Sequence, residues 1–387
     1  VQSKLDQFLS QAIDGGAAPG VVALAADLDG VIYSGAFGRT APGADTPMRL
    51  DSVFRIASMT KAITAAAAMQ LVEQGRLGLE QPMREIAPEI GEARVLQGFD
   101  ADGTPQTRAP TRDVTLRHLL THTSGYSYDL FNRNVGRYME QRGLPSIATC
   151  RYDALKAPLV FDPGERWEYG IGIDWVGRIV ELVSGQPLEA YLQANLLGPL
   201  GMRDTSFVLR PDLQARLVGA AARGPDGALT RIEFEFPGDA DFHMGGGGLY
   251  STGPDYLRFT RMILAGGALD GTRVLGEDTV RLMGRNAIGD IAVPPFVSDN
   301  PAMALSAELF PGQIARWGLS FVINTEDIPG CRAAHSLAWA GVHNTFFWID
   351  PRSRLCAVLM MQLLPANDPQ VLRTLVGYEH GLYAARR

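Results

Sequence analysis

Lysine is nearly missing from this chain: three of its 35 basic residues are lysines (Lys4, Lys61 and Lys156), and the rest are arginines. Arginine does not deprotonate in proteins, so any proton chemistry that needs a basic amine falls on one of three positions. Cysteine is equally scarce. Cys150, Cys331 and Cys356 are odd in number, widely separated and without metal-ligand spacing, which argues against a disulfide framework or a zinc site and leaves buried thiols. No run of about eighteen apolar residues occurs, so no membrane-spanning helix is expected. There is no Gly-x-Ser-x-Gly elbow, which counts against an α/β-hydrolase. The net charge of −7 argues against nucleic acid or an anionic membrane as partner.

What is present reads as a soluble globular chain of 387 residues, 46% hydrophobic and 20% charged, long enough for two domains or one with a large insertion. The first residues, VQSKLDQFLSQAIDGG, read as an amphipathic helix and not as an export leader, so a cytoplasmic location is expected. Nothing sets the oligomeric state, and a homodimer stays open.

The stretch Asp51 to Gly75 holds the spacing on which a function is best argued: Ser58, then Lys61 three residues on. From Met59 the chain is rich in strong helix formers and closes on Gly75, so Ser58 sits at a helix start and shares a face with Lys61. A run of small residues, Ala65 to Ala68, lets this helix pack closely and be buried. A serine hydroxyl becomes a nucleophile when a neighbouring base takes its proton, and burial disfavours the charged form of a lysine. The backbone amides at a helix start also donate to an oxyanion. The spacing alone fits equally an N-cap serine and a solvated first-turn lysine, since four-residue motifs recur by chance.

Along the chain, Val21–Leu28 and Val31–Gly38 are strand-like runs joined by Asp29-Gly30, a hairpin signal. Residues 92–112 read as a loop. His118 and His122 are four apart on a short helical piece, a spacing open to metal, but the glutamate that zinc hydrolases place beside the first histidine is lacking, and no metal is expected. Asp174 reads as the N-cap of a helix ending at Gly185, and a further helix starts at Pro187. Gly245 to Gly248 lack the lysine of a phosphate loop and fit a site wall that backbone approaches closely. The last third holds three strand-like runs, Trp317–Thr325, Asn344–Asp350 and Arg354–Leu364, then a helix from Asp368. Both chain ends thus build one α/β sheet domain, residues 1–75 and 222–387, and residues 76–221 form a mostly helical domain between them, with a cleft where they meet.

Five pieces, FRIASMTKAITAAAAMQLVEQGRLGL, TLRHLLTHTSG, FDPGERWEYGIGIDWVGRIVELVSGQPLEAYL, GGGGLYSTGPDYLRF and WAGVHNTFFWIDP, together resemble the serine β-lactamases and penicillin-binding proteins. Within that superfamily they are most similar to the class-C-like esterases called family VIII carboxylesterases. The resemblance implies a β-lactamase-like fold, α/β plus all-α, with an antiparallel sheet flanked by helices and an inserted helical domain. It implies Ser58 as acylated nucleophile, Lys61 as the lysine that helps deprotonate it, and Tyr169 as the second-motif tyrosine that relays the proton. It implies amides of Ser58 and Val342 as oxyanion donors. Tyr128 matches a tyrosine that lines the pocket, with Tyr126 competing for the place.

The third family motif, Lys-Thr-Gly, here reads Trp339-Ala340-Gly341, and the asparagine of the second motif is replaced by Ile171. Both changes make the pocket more apolar and favour a neutral ester over a carboxylated peptide, with His343 or Arg332 as partial compensation for the missing cation. The expected activity is therefore hydrolysis of small-molecule carboxylic esters, with weak β-lactam hydrolysis beside it and no cofactor. A β-lactamase, a D-amino-acid peptidase or an acyltransferase on the same scaffold is the alternative.

Overall fold

The computed structural model describes residues 2–386; Val1 and Arg387, the outer limits of the expected sheet domain, lie outside the described residues. The elements that matter for the site are helix α1 (Gln2–Asp14), strands β1 (Gly20–Asp27) and β2 (Val31–Gly38), and helices α2 (Thr60–Glu73), α3 (Gly172–Ser184) and α4 (Gly253–Leu264). Strands β3 (Arg316–Trp317), β4 (Val322–Ile323), β5 (Leu337–Gly341), β6 (Thr345–Asp350) and β7 (Leu355–Met360) and helix α5 (Pro369–Ala384) complete them. The strands form a seven-stranded sheet in the order β3-β4-β5-β6-β7-β1-β2, each pair antiparallel.

The central strands β1, β6 and β7 are buried almost throughout, because helices cover both faces of the sheet. Helices α1 and α5 pack on one face, and α4 packs on the other with α2 in the same apolar core. Every residue of α2 from Thr60 to Leu71 is buried. Its four consecutive alanines give other segments room to approach on all sides, so α2 is a central axis of the core and not an amphipathic surface helix.

Sequence and structure differ in four places. The run Trp317–Thr325 is two short strands, interrupted where Ser320 takes a positive φ of 74°. Strand β5 adds a strand to the three composition suggests in the last third. Residues expected as loop contain a hairpin, Val95–Phe99 with Pro105–Arg108. Helix α3 starts at Gly172, so Asp174 lies inside its first turn and caps nothing; Ile171 holds the cap position with no side-chain bond.

Candidate active site

Three segments distant in sequence converge on Ser58. A two-stranded pairing of Val53–Arg55 with Tyr250–Thr252 brings the glycine run beside the start of α2. The junction is tied twice: Ile56 N–H donates to Leu249 O at 3.1 Å, and Leu249 N–H donates to Thr60 Oγ1 at 3.2 Å. Ser58 sits in a 3₁₀ turn, Ala57–Met59, leading into α2, and Ala57 before it holds a positive φ of 45°. Such a conformation is costly for a residue with a Cβ and is kept where neighbours over-determine it. Here it leaves Ser58 half-buried at the helix mouth while Ala57 and Met59 pack inward.

Lys61 Nζ donates to Ser58 Oγ at 3.0 Å, and Tyr169 OH donates to the same oxygen at 2.5 Å. Both ends of such short contacts are within proton-transfer reach. Lys61 is fully buried, and its Nζ also donates to Tyr128 OH at 3.0 Å and to Gly246 O at 2.6 Å. It lies 4.7 Å from the Tyr169 ring centroid and 5.2 Å from that of Tyr128, so aromatic faces surround the amine. Tyr128 OH in turn donates to Asp174 Oδ2 at 3.2 Å, and Gly246 N–H donates to Asp174 Oδ1 at 2.8 Å. Burial raises the Asp174 carboxyl above its ordinary range, opposed by the nearby Lys61 charge and the Gly246 amide. Burial, then the Asp174 charge, holds the Tyr128 hydroxyl well above the usual phenol range.

Ser58 opens into a cavity of about 80 Å³ walled by Phe131, Tyr169, Phe296, Trp339, Gly341 and Val342 among others, with no charged residue in its lining among the described residues. Phe131, Tyr169 and Phe296 also bound an adjoining cleft of about 410 Å³ that carries Glu168 and Asp299. A larger cavity, of about 650 Å³, is bounded by Tyr152, Phe207 and Phe242 and includes none of Ser58, Lys61 or Tyr169. Trp339 Nε1–H points at Tyr169 OH, 3.4 Å away. Gly341 is required at its place: a Cβ there would run into Ile56 O and Thr345 Oγ1, so only glycine lets β5 lie against the Ser58 segment.

The structure thus brings together Ser58, Lys61, Tyr169, Trp339, Gly341 and Val342, with Tyr128 one bond beyond Lys61. Tyr126 packs beside Trp175 instead, and it is Tyr128 that reaches the lysine. Ile171 and His343 do not line the cavity. Ile171 turns into the core at the start of α3, and His343 is fully buried against Phe234, with its ring centroid 4.6 Å away. After Gly341 the chain turns, with Asn344 at φ 61°, so strand alternation stops before His343. Burial, and then the Arg55 charge, pushes the His343 imidazole down to about 3. Arg332 is held by Glu379 through bonds of 2.7 and 2.6 Å, both side chains buried, and offers no free cation to the cavity.

His118 and His122 do not form a pair. The helix ends at Leu120; His118 Nδ1 accepts from Thr115 N–H within the N-terminal cap, and His122, at φ 57°, accepts from Gly170 N–H. His122 packs 4.9 Å from the Tyr169 ring and supports it from behind. The residue that sequence reasoning missed is Asp174. Its signal was a carboxylate inside an otherwise apolar stretch, GIDWVG, which reads as a cap until the helix is seen to begin two residues earlier.

The Beta-lactamase family profile matches residues 5–379. Lovastatin esterase of Penicillium rubens is 33% identical, the alignment covering 98% of each chain. Monacolin J acid methylbutanoyltransferase of Aspergillus terreus is 33% identical over 95% of this chain and 92% of that protein. Among solved structures, the LovD6 mutant of simvastatin synthase from Aspergillus terreus superposes with a TM-score of 0.86 at 31% identity, over 99% of this chain and 96% of that one. Among the described residues, no helix is long and apolar enough to cross a membrane.

Proposed function

The chain belongs to the beta-lactamase family, and we propose that within it this protein is a serine acyltransferase that takes an acyl group from a neutral ester and passes it to an alcohol, with hydrolysis as the competing outcome. The observation that carries the reading is Ser58 Oγ, bonded at once to Lys61 and Tyr169 at the floor of a cavity free of charged side chains.

In the first half-reaction Ser58 Oγ attacks the ester carbonyl while its proton passes to the Tyr169–Lys61 pair. The amides of Ser58 and Val342 hold the oxyanion, and the leaving alcohol departs with the proton handed on by Tyr169. In the second half the acceptor hydroxyl gives its proton to the same pair, attacks the acyl carbonyl and frees Ser58, which regains a proton. Aromatic walls that keep water sparse lengthen the life of the acyl-enzyme and favour an apolar acceptor over water. Trp339 stands where the lactamases carry a cation, so a neutral donor suits the site better than a carboxylated one.

Transfer is favoured over simple esterase action by the mostly apolar lining of the cavity and by the similarity to a methylbutanoyltransferase; the equal similarity to an esterase supports hydrolysis as the second reading. The test is product partition. A short-chain nitrophenyl ester is supplied with and without a bulky apolar alcohol, and free acid and new ester are quantified by mass spectrometry. Transfer predicts that the new ester displaces the free acid as acceptor rises. Free acid alone at every acceptor concentration refutes transfer and leaves an esterase.

A further inference from the structure

Lys61 has three polar neighbours, and two of them are held by the same carboxylate. Asp174 accepts from Tyr128 OH through one oxygen and from Gly246 N–H through the other, and Lys61 Nζ donates to Tyr128 O and to Gly246 O. The four groups close a ring buried beneath Ser58: Asp174 and Lys61 are both fully buried and face one another across two bridges. The arrangement is built on both sides. A Cβ on Gly246 would sit 2.5 Å from the Asp174 carboxylate, and Gly245, whose carbonyl accepts from Thr64 Oγ1 at 2.7 Å, is pressed against Gly177 of α3. The glycine run that lacks a phosphate-loop lysine thus has a different use: it lets a backbone carbonyl and its neighbouring amide fit between the lysine and the acid.

We propose that Asp174 is a positioning residue for Lys61, acting through the Tyr128 hydroxyl and the Gly246 peptide to aim the amine at Ser58; this rests on the acyl-transfer reading above. A carboxylate that accepts the Tyr128 proton leaves the phenol oxygen's lone pairs facing Lys61, and its second oxygen fixes the peptide whose carbonyl takes another amine proton. With two amine protons committed below, the remaining position on Nζ, the one that takes the serine proton, faces Ser58 Oγ. Asp174 touches no substrate and belongs to no step of the proton path.

The test compares wild type with Asp174→Asn, Tyr128→Phe and the double variant, using steady-state turnover of a nitrophenyl ester, the rate of Ser58 labelling by a fluorophosphonate, and thermal midpoints. Asparagine keeps the shape and, through Oδ1, the acceptor for Gly246, but turns an amide NH2 toward the Tyr128 hydroxyl, which loses its acceptor. The expected result is a kcat lower by about 10- to 100-fold, with KM within about twofold and labelling slowed in step, the loss that a disrupted buried hydrogen-bond partner produces. In the double variant the two losses combine to less than their product, because they share one path. A kcat within about threefold of wild type, a loss carried by KM, or fully multiplicative losses overturns the proposal. If Asp174→Asn does not fold, Tyr128→Phe carries the test, and an unchanged kcat there overturns it. Wild-type protein with no label on Ser58 sinks the acyl-transfer reading and this proposal together; normal labelling with indifferent variants sinks this one alone.

Discussion

Replacing Tyr169 by Phe removes one oxygen and little else, which makes it the sharpest probe of the proton path. The hydroxyl lies 2.5 Å from Ser58 Oγ and 3.4 Å from Trp339 Nε1, and the second contact is long enough that its loss weighs little. The ring keeps its neighbours in the variant: His122 at 4.9 Å, Trp339 at 5.2 Å and Tyr128 at 5.3 Å. Tyr169 is only half-buried, so stability changes by no more than about 1 kcal/mol. Turnover behaves differently. Ser58 retains Lys61 at 3.0 Å and is not left without a proton acceptor, but the leaving alcohol loses its donor. A positioned general acid–base contributes about 100- to 10,000-fold, and kcat/KM falls within that range. The signature lies in the leaving group: the defect is small for nitrophenyl esters, whose phenolates leave unaided, and large for alkyl esters of the same acid. The assay is a leaving-group series on wild type and variant, with circular dichroism to confirm folding. A defect of equal size across the series, or activity within about threefold of wild type on alkyl esters, refutes the assignment of Tyr169 as the relay.

Gly341→Ala drives a methyl into Ile56 O and Thr345 Oγ1, so β5 shifts away from the Ser58 segment; denaturant titration is expected to show a loss of about 1–3 kcal/mol, and unchanged stability together with unchanged kcat contradicts the close approach. His343 is buried, with no partner for either ring nitrogen among the described residues, and is held neutral down to about 3. The unfolded chain binds a proton near pH 6.5, so the unfolded state holds more protons below that value and stability falls as pH drops from about 6.5 towards 3. His343→Leu removes this contribution. Thermal midpoints read between about pH 7 and 4 are expected to slope less in the variant than in wild type, and parallel slopes contradict the assignment.

What the sequence made legible follows distance along the chain. Ser58 and Lys61 are three apart on one helix, and local spacing is enough to place them on one face. Strands β1 and β2 and helix α5 carry their own turn and capping signals, Asp29-Gly30 and Asp368, and stand where those signals put them. Tyr169 and Trp339 were reached only through the order of motifs, since nothing local to either residue points at Ser58. The misreadings share a cause. Ile171 and His343 sit next to motif residues, and each lies just where a regular element begins or ends, so a place beside a motif residue does not fix where the side chain goes. Asp174 has the composition of a cap, but its oxygens bond to Gly246 and Tyr128, which are 72 and 46 residues away. Contacts of that separation leave no trace in local pattern.

The account stands on Ser58 as the atom that carries the acyl group. Brief incubation with a short-chain nitrophenyl ester, acid quench and peptide mass mapping tests it directly. The expected result is a burst of nitrophenol with the mass of one acyl group on the peptide holding Ser58, absent from Ser58→Ala. Turnover with the acyl group on another residue, or persistent turnover by folded Ser58→Ala, contradicts it.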